Sequence, residues 1–236
     1  MRFFERLLTG LDIRQLLAPA ERRSTLILLG GTLVLTLHRY FSGAPPAPSG
    51  APFVFGPRAM FVVTFLCFGA LPGLVVKFGF REKLSDFGIR LGDWRTGLVS
   101  VGVLFPIIFF ALLLPGSRDA ALRAFYPLDR TIGASAASFL AFEGLRAVLY
   151  YSAWEFFYRG FWLFGLRQRL GDAPALGIQV VASCLWHIGM PLGEILSAIP
   201  GGIVFGLLSL RTGSILWPFL LHTLIGAGTD LLIVAF

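Results

Sequence analysis

Residues 214–236 read SILWPFLLHTLIGAGTDLLIVAF, an apolar run in which His222 and Asp230 are the ionisable side chains. As a helix this run would be about 35 Å long, which is enough to cross a hydrocarbon core of roughly 30 Å. Its apolar residues are continuous, whereas a strand of a membrane barrel would alternate polar and apolar residues. The run therefore predicts a membrane-spanning helix that holds two polar side chains at membrane depth.

Six further apolar runs precede this one, separated by short loops that are basic or rich in Pro and Gly. Hydrophobic residues make up 56% of the 236-residue chain and charged residues 14%, whereas about a quarter of the residues in soluble domains are charged. This composition excludes a water-soluble fold and predicts an all-α, polytopic membrane helix bundle of about seven transmembrane helices. The six runs lie near Ser24–Tyr40, Ala59–Val76, Leu98–Leu114, Ala134–Leu170, Ala173–Met190 and Glu194–Leu210.

The basic residues predict the orientation of these helices. Arg22, the Lys77–Arg95 loop, Arg167 and Arg211 all fall on one side when seven spans alternate, and basic loops face the cytoplasm. The amino terminus is therefore predicted to be cytoplasmic. The net charge of +7 is explained by loops that face anionic lipid, so no nucleic-acid partner is expected.

The chain divides into a short surface segment and one membrane domain. Residues 1–23 mix basic and apolar side chains and predict a cytoplasmic amphipathic helix on the membrane surface, with a partly ordered tail as the alternative. Residues 24–236 are predicted to form a single transmembrane domain. The run near Ala134–Leu170 would be roughly 55 Å long, so it must tilt, break or begin at the interface, and we favour an interfacial start around Glu143 and Arg146.

Ionisable side chains within the last four runs are the candidate functional residues. Each costs at least roughly 2.5–3.5 kcal/mol at the bilayer centre unless it meets a partner or water. Glu155 and Arg159 are four residues apart, so they can pair on one helix face. Taken one at a time, each group also has a structural explanation as an ion pair, a helix cap or a contact between helices. Together they predict one polar pocket, formed by Glu155, Arg159, His187, Glu194, His222 and Asp230.

A carboxylate and two imidazoles in a partly dry pocket can hold and deprotonate a water molecule. A histidine can also stabilise a developing oxyanion. The set Glu155, His187 and His222 could instead ligate a zinc ion through one oxygen and two nitrogens. The two-histidine H-E-x-x-H signature of a zinc helix is absent from the sequence. Zinc therefore remains a possible cofactor, and no other cofactor is expected.

Three short segments resemble the motifs of a known family. Residues 154–161 read WEFFYRGF, residues 183–187 read SCLWH, and residues 222–226 read HTLIG. They are similar, in this order, to the motifs E-E-x-x-x-R, F-x-x-x-H and H-x-x-x-N/D of the CAAX-protease and bacteriocin-processing (CPBP, or Abi) intramembrane proteases. The segments GLLSLRTGSI at 206–215 and FGIRLG at 87–92 are also family-like. The resemblance covers the carboxy-terminal 150 residues, and the part that bears the three motifs is about 134–236.

The sequence departs from the family motifs at three positions. Trp154 stands where the first glutamate of the pair is thought to activate the attacking water, Ser183 replaces the phenylalanine, and Gly226 replaces the polar end of the third motif. The resemblance then implies that Glu155 or Glu194 acts as the base. It further implies that His187 shares the water, that His222 supports the oxyanion, and that Asp230 substitutes for the side chain missing at Gly226.

The resemblance implies an intramembrane endopeptidase of the CAAX-processing type in a bacterial inner membrane. Its substrate would be a hydrophobic, membrane-anchored or prenylated peptide that enters from the lipid. The alternative is a catalytically lapsed scaffold or bacteriocin-immunity protein, which Trp154 and Gly226 favour. A transporter would fit the buried polar groups, but the halves of the chain show no inverted repeat.

Overall fold

The structure is a computed structural model that describes residues 19–42 and 56–236. The predicted amphipathic segment at residues 1–23 falls almost wholly outside the described residues. All regular secondary structure within the described ranges is helical. The predicted all-α fold class is therefore confirmed.

Seven long helices account for most of the described chain, and their limits agree with the predicted apolar runs to within a few residues. The loops between them contain a short helix, Ala120–Phe125, and two 3-10 turns, Leu84–Phe87 and Arg130–Ala134. The seven helices are α1 (residues 19–41), α2 (Pro57–Phe80), α3 (Trp94–Gly116), α4 (residues 136–170), α5 (Asp172–Trp186), α6 (Leu192–Thr212) and α7 (Leu216–Ala235).

Five of these helices, α1, α2, α3, α6 and α7, are long and apolar enough to cross a membrane. The protein is thus a helical integral membrane protein. Helix α4 is long enough but carries charged residues along its length, and α5 has 15 residues, about 22 Å. Neither α4 nor α5 is among the helices that meet these criteria of length and composition. The total of seven membrane spans therefore stays a prediction.

Local sequence signals fix several helix ends. Asp93 caps α3 by accepting hydrogen bonds from the backbone N–H and the hydroxyl of Thr96, at 3.1 and 2.7 Å. Ser135 and Ser138 form a reciprocal capping box at the start of α4. Gly213 ends α6 with φ of 66°, a conformation that costs glycine little. These signals are local, so the helix limits could be predicted from the sequence.

Helix α4 is the centre of the bundle. Residues 153–166 are buried without interruption, as expected of a helix that is apolar on all sides and enclosed by others. The Phe157 ring, for example, stacks on the Phe68 ring of α2 at 4.2 Å. Two wider π-helical stretches, Arg146–Tyr151 and Phe156–Phe164, flank the short α-helical stretch Ser152–Glu155. Four further π-helical stretches occur in α1, α2 and α3, so this geometry is shared by several helices of the described part of the bundle.

A candidate active site between four helices

The first two candidate residues form the ion pair that their spacing predicts. The Glu155 carboxylate is fully buried, and its Oε2 lies 3.3 Å from Nε of Arg159. Nη1 of Arg159 also donates to Glu155 Oε1 at 3.3 Å. The Arg159 guanidinium packs over the Phe205 ring of α6, 5.2 Å from its centroid. The pair therefore lies inside the bundle, where it joins α4 to its neighbours.

Glu155 also binds His222 of α7. Its Oε1 lies 2.7 Å from Nδ1 of His222. An ionised carboxylate only accepts hydrogen bonds, so Nδ1 carries the proton and Nε2 of the neutral ring keeps its lone pair. Glu155 thereby fixes both the orientation and the tautomer of His222.

His187 adopts the same tautomer through a different partner. Its Nδ1 lies 2.7 Å from the backbone oxygen of Ser183, one helical turn earlier. A carbonyl oxygen can only accept, so this ring also carries its proton on Nδ1 and leaves Nε2 as an acceptor. The replacement of the motif phenylalanine by Ser183 does not disturb this contact, since the backbone makes it.

A cavity of about 50 Å³ lies between these histidines. A water molecule needs roughly 10–15 Å³ of such space, so the cavity holds a few waters. His187, His222, Glu194 and Arg146 supply its polar lining. The aromatic part of the wall comes from Phe125, Tyr126, Tyr150, Tyr151, Trp154 and Trp186. Of the six residues predicted to form one polar pocket, His187, Glu194 and His222 line this cavity, and its wall is mainly aromatic.

The indole of Trp154 forms the wall between the two imidazoles. Its ring centroid lies 5.6 Å from that of His187 and 6.5 Å from that of His222, edge-on in both cases. Trp186 and Tyr150 hold the indole from the other sides, at 4.7 and 5.5 Å. An indole N–H can donate but cannot take a proton, so Trp154 cannot act as a base.

Glu194, not Glu155, brings a carboxylate to this cavity. Glu155 is absent from the cavity lining, whereas Glu194 is part of it. The Tyr126 hydroxyl donates to Glu194 Oε1 at 2.6 Å, and Oε2 has no protein partner within residues 19–42 and 56–236. Glu194 lies in the first turn of α6, but its side chain caps no backbone N–H there. The simple capping role considered for it is therefore not what its contacts show.

Asp230 belongs to a separate buried cluster. Its Oδ2 accepts from Nη1 of Arg146 at 3.0 Å, and the same nitrogen lies 3.4 Å from Glu143 Oε1. The Arg146 guanidinium also lies over the rings of Tyr126 and Tyr151, at 5.7 and 5.0 Å. Glu143 and Arg146, which we expected near an interfacial start of α4, are buried, and Arg146 pairs with Asp230 of α7. Asp230 therefore supports the cavity wall through Arg146 and does not reach the histidines.

One protein family matches the part of the chain that contains these residues. Residues 137–227 match the family described as type II CAAX prenyl endopeptidase Rce1-like. This segment is thus similar to the family that the three motifs predicted. No curated protein and no solved structure matches the chain significantly. The matched segment contains all three motifs and contributes His187, Glu194 and His222 to the cavity, and its similarity supports a membrane-embedded protease.

The matched segment does not arrange the predicted zinc ligands around one point. The Glu155 carboxylate is already bound by Arg159 and by Nδ1 of His222, and it faces away from the cavity. No group of three His, Cys, Asp or Glu side chains in the described part of the chain is close enough to hold a metal ion. A zinc ion does not fit between Glu155, His187 and His222 in this arrangement. The Glu155 carboxylate contacts Nδ1 of His222 and so lies on the far side of that ring from its free Nε2 atom.

His38 is a buried histidine that the sequence reasoning missed. Its Nε2 lies 2.8 Å from the Thr64 hydroxyl, which itself donates to the Met60 carbonyl. Trp186 donates its indole N–H to His38 Nδ1 at 3.2 Å. Both ring nitrogens are therefore satisfied, and His38 links α1, α2 and α5 behind the cavity. The signal available in the sequence was a lone histidine near the end of the first apolar run.

Proposed function

We propose that the protein is an intramembrane endopeptidase whose attacking water is activated by Glu194. The observation that carries this proposal is that Glu194, whose Oε2 has no hydrogen-bond partner among the described residues, lines the same cavity as His187 and His222. A carboxylate and an imidazole can share one water and take its proton. Glu194 thus supplies from α6 the basic group that Trp154 cannot supply from α4.

The reaction would follow the general course of peptide hydrolysis. The water oxygen attacks the scissile carbonyl carbon while its proton passes to Glu194, and His187 accepts the second hydrogen bond of the water. The C–N bond then breaks, and the leaving amine takes the proton back from Glu194. The carbonyl becomes a carboxylic acid, so atoms and charge balance.

His222 would stabilise the oxyanion after Nε2 of the neutral ring has taken up a proton from the cavity. With protons on both nitrogens, Nδ1 donates to Glu155 and Nε2 donates to the developing negative charge. The carboxylate of Glu155, 2.7 Å from Nδ1, supplies the counter-charge for that imidazolium. Glu155 is therefore a positioning residue, and Arg159 holds it in place.

We propose a prenylated or otherwise lipid-anchored peptide as the substrate. The description of the matched family names prenyl endopeptidases, and an integral membrane protein meets such substrates in the bilayer. The aromatic cavity wall also suits an apolar residue next to the scissile bond. The polar lining, on the opposite side, would face the peptide bond itself.

Cleavage by purified protein in nanodiscs tests the proposal. With a farnesylated peptide and product detection by mass spectrometry, we expect Glu194→Gln to lower the rate at least about 10²-fold, since it removes the base. Glu82→Gln, in the ion pair with Arg23 remote from the cavity, is the matched control and should cleave as the wild type does. Equal rates for Glu194→Gln and the wild type would rule out Glu194 as the base.

A non-catalytic scaffold is the second candidate, and Trp154 is the observation in its favour. The indole is 2% exposed and fills the wall where the family motif places a carboxylate. A wild type that cleaves no peptide, together with cleavage by a folded Trp154→Glu variant, would favour a lapsed enzyme. Cleavage by the wild type that Glu194→Gln abolishes would exclude it.

A further inference from the structure

Gly226 lies one turn after His222 on α7, at the position where the third motif ends in a polar side chain. A Cβ atom at Gly226 would overlap the hydroxyl oxygen of Tyr151 and would lie 2.6 Å from its Cζ. Real Cβ atoms do not approach other atoms so closely, so no side chain fits at position 226 while Tyr151 is present. The Tyr151 hydroxyl of α4 therefore occupies the volume that a side chain at position 226 would need.

Tyr151 is also placed to act on the reacting groups. Its ring centroid lies 4.4 Å from that of His222, and Tyr151 lines the cavity. Its hydroxyl has no hydrogen-bond partner among the described residues, and yet it is not sealed off like the unpartnered hydroxyl of Tyr158. A phenol hydroxyl without a protein partner, on a residue that lines the cavity, is available to donate to a group bound there.

We propose that the Tyr151 hydroxyl takes the place of the polar side chain missing at Gly226 and donates a hydrogen bond to the oxyanion beside His222. The proposal rests on the endopeptidase function above and names a further catalytic residue for it. It also replaces the prediction that Asp230 fills this role, since Asp230 binds Arg146 and does not line the cavity.

Removal of a single hydroxyl tests the catalytic part of the proposal. Tyr151→Phe keeps the ring and its contacts with His222 and Arg146, so the fold should be retained. We expect kcat to fall about 10²-fold, the usual effect of the loss of one oxyanion donor, with little change in KM. Tyr158→Phe removes a hydroxyl from the same helix that has no partner and does not line the cavity, so it should retain the wild-type rate.

Variants at both Tyr151 and Gly226 test whether the two positions compete for the same volume. Gly226→Asn alone should lower the melting temperature and abolish cleavage, because Asn collides with Tyr151. Tyr151→Ala alone should lower cleavage by loss of the donor. The double variant Tyr151→Ala, Gly226→Asn should melt higher than Gly226→Asn alone and cleave faster than either single variant. Such non-additive behaviour is expected only of residues that share one space.

The outcomes separate this proposal from the proposed function. Wild-type cleavage that Glu194→Gln abolishes but Tyr151→Phe leaves unchanged would overturn the role of Tyr151 and leave the peptidase intact. If the changes in melting temperature of Tyr151→Ala and Gly226→Asn simply add in the double variant, the claim that the two residues share one volume is overturned. A wild type that cleaves no peptide would overturn both proposals, and the melting experiment would still report whether Tyr151 and Gly226 compete for space.

A different observation carries a second inference. A groove of about 660 Å³ lies between α2, α4 and α7, within the range of about 300–1,000 Å³ that ligand sites occupy. It is lined by Ser152, Ala153 and Phe156, which face away from the cavity side of α4. Small residues of α2, Gly69, Ala70 and Gly73, make room for it. The groove is therefore separate from the candidate active site and almost wholly apolar.

Two cations line this apolar groove. They are Lys77, near the end of α2, and Arg90, whose Nε donates to the Gly213 backbone oxygen at 2.6 Å while its terminal nitrogens remain available. Neither side chain forms an ion pair with a carboxylate in the part of the chain that the structure describes. An apolar channel with unpaired cations matches an amphiphile that has an anionic head and an apolar tail.

We infer that this groove binds one acyl chain of an anionic phospholipid, with the phosphate at Lys77 and Arg90. Native mass spectrometry of protein released from vesicles of equal phosphatidylglycerol and phosphatidylcholine should show one retained phosphatidylglycerol. Lys77→Gln with Arg90→Gln should reduce that retention at least about tenfold, since two charged contacts are lost. The control is Arg81→Gln with Lys83→Gln. It removes two positive charges from the segment between Lys77 and Arg90, but neither residue lines the groove, so this variant should retain the lipid.

Filling the groove provides a second measurement. Gly73→Leu has space in the groove, since a Cβ there meets no atom closer than 3.9 Å, and should displace the acyl chain without loss of folding. Equal retention of the two lipids by the wild type, or undiminished retention by the doubly neutralised variant, would overturn the inference. Displacement of the lipid by a farnesylated peptide would assign the groove to the substrate and would overturn it as well.

Discussion

Glu155 contacts both His222 and Arg159 through its carboxylate and does not line the cavity, whereas Glu194 lines the cavity and, among the described residues, binds only Tyr126, through Oε1. A carboxylate already engaged with a guanidinium and an imidazole is a poor base, because proton uptake would break both contacts. The residue that matches the family motif in sequence thus positions a histidine. In the proposed mechanism, the proton is accepted by Glu194, which matches no motif.

The buried pair of Glu155 and Arg159 makes a stability prediction. Glu155→Gln leaves the Arg159 guanidinium buried without its counter-charge, which costs about 3–5 kcal/mol of unfolding free energy. Replacement of both residues, Glu155→Leu with Arg159→Met, should recover most of that loss. Unfolding in detergent by denaturant measures both values.

The control for this prediction is the exposed pair of Arg167 and Asp172, 2.7 Å apart. Asp172→Asn should change the unfolding free energy by no more than about 1 kcal/mol, because water screens that pair. A loss at Glu155→Gln no larger than the control would show that the buried charge pair does not stabilise the bundle.

The position of the Glu155 carboxylate behind His222 also predicts how cleavage responds to chelators. Because no three His, Cys, Asp or Glu side chains within residues 19–42 and 56–236 are close enough to hold a metal ion, we expect EDTA or 1,10-phenanthroline to leave the cleavage rate within about twofold of its initial value. Loss of cleavage that added zinc restores would contradict this arrangement of ligands.

Helix α4 shows how glycines set the spacing between elements. A Cβ at Gly160 would lie 2.7 Å from the Phe156 ring and 2.9 Å from the backbone oxygen of Phe87. The turn at Leu84–Phe87 therefore packs directly on the backbone of α4. At Gly144 of the same helix, a Cβ would meet no atom within 4 Å.

These two glycines give opposite predictions for the same substitution. Gly160→Ala should destabilise the protein by about 1–3 kcal/mol, because the backbone at Phe87 cannot move aside cheaply. Gly144→Ala should be neutral or stabilise by up to about 1 kcal/mol, since alanine favours the helix. Thermal unfolding of both variants in one detergent measures these changes in stability. A similar change at both sites would refute the close approach of Phe87 to Gly160.

For the bundle as a whole, the open question is whether α4 and α5 cross the membrane. Ala173 at the start of α5 and Leu192 at the start of α6 are both exposed. If α5 crosses, single cysteines at these positions should react with an impermeant thiol reagent from opposite sides. The background for this experiment lacks Cys67 and Cys184. Labelling of both positions from the same side would reduce the number of spans and would change the predicted cytoplasmic side.

The sequence by itself determined the membrane character, the limits of the seven long helices and the pair of Glu155 with Arg159. Apolar run length, capping residues such as Asp93 and Ser135, and a spacing of four residues are all local properties, so no tertiary contact is needed to predict them. The order of the three motifs likewise sufficed to predict the family of residues 137–227.

Only the tertiary structure decided which of these side chains share a cavity. Glu194 rather than Glu155 lines it, Tyr151 occupies the space beside Gly226, and Asp230 binds Arg146. Each of these facts depends on the rotation and depth of one helix relative to another that is distant in the chain. Helix packing fixes those quantities through many side chains at once, so no single motif encodes them.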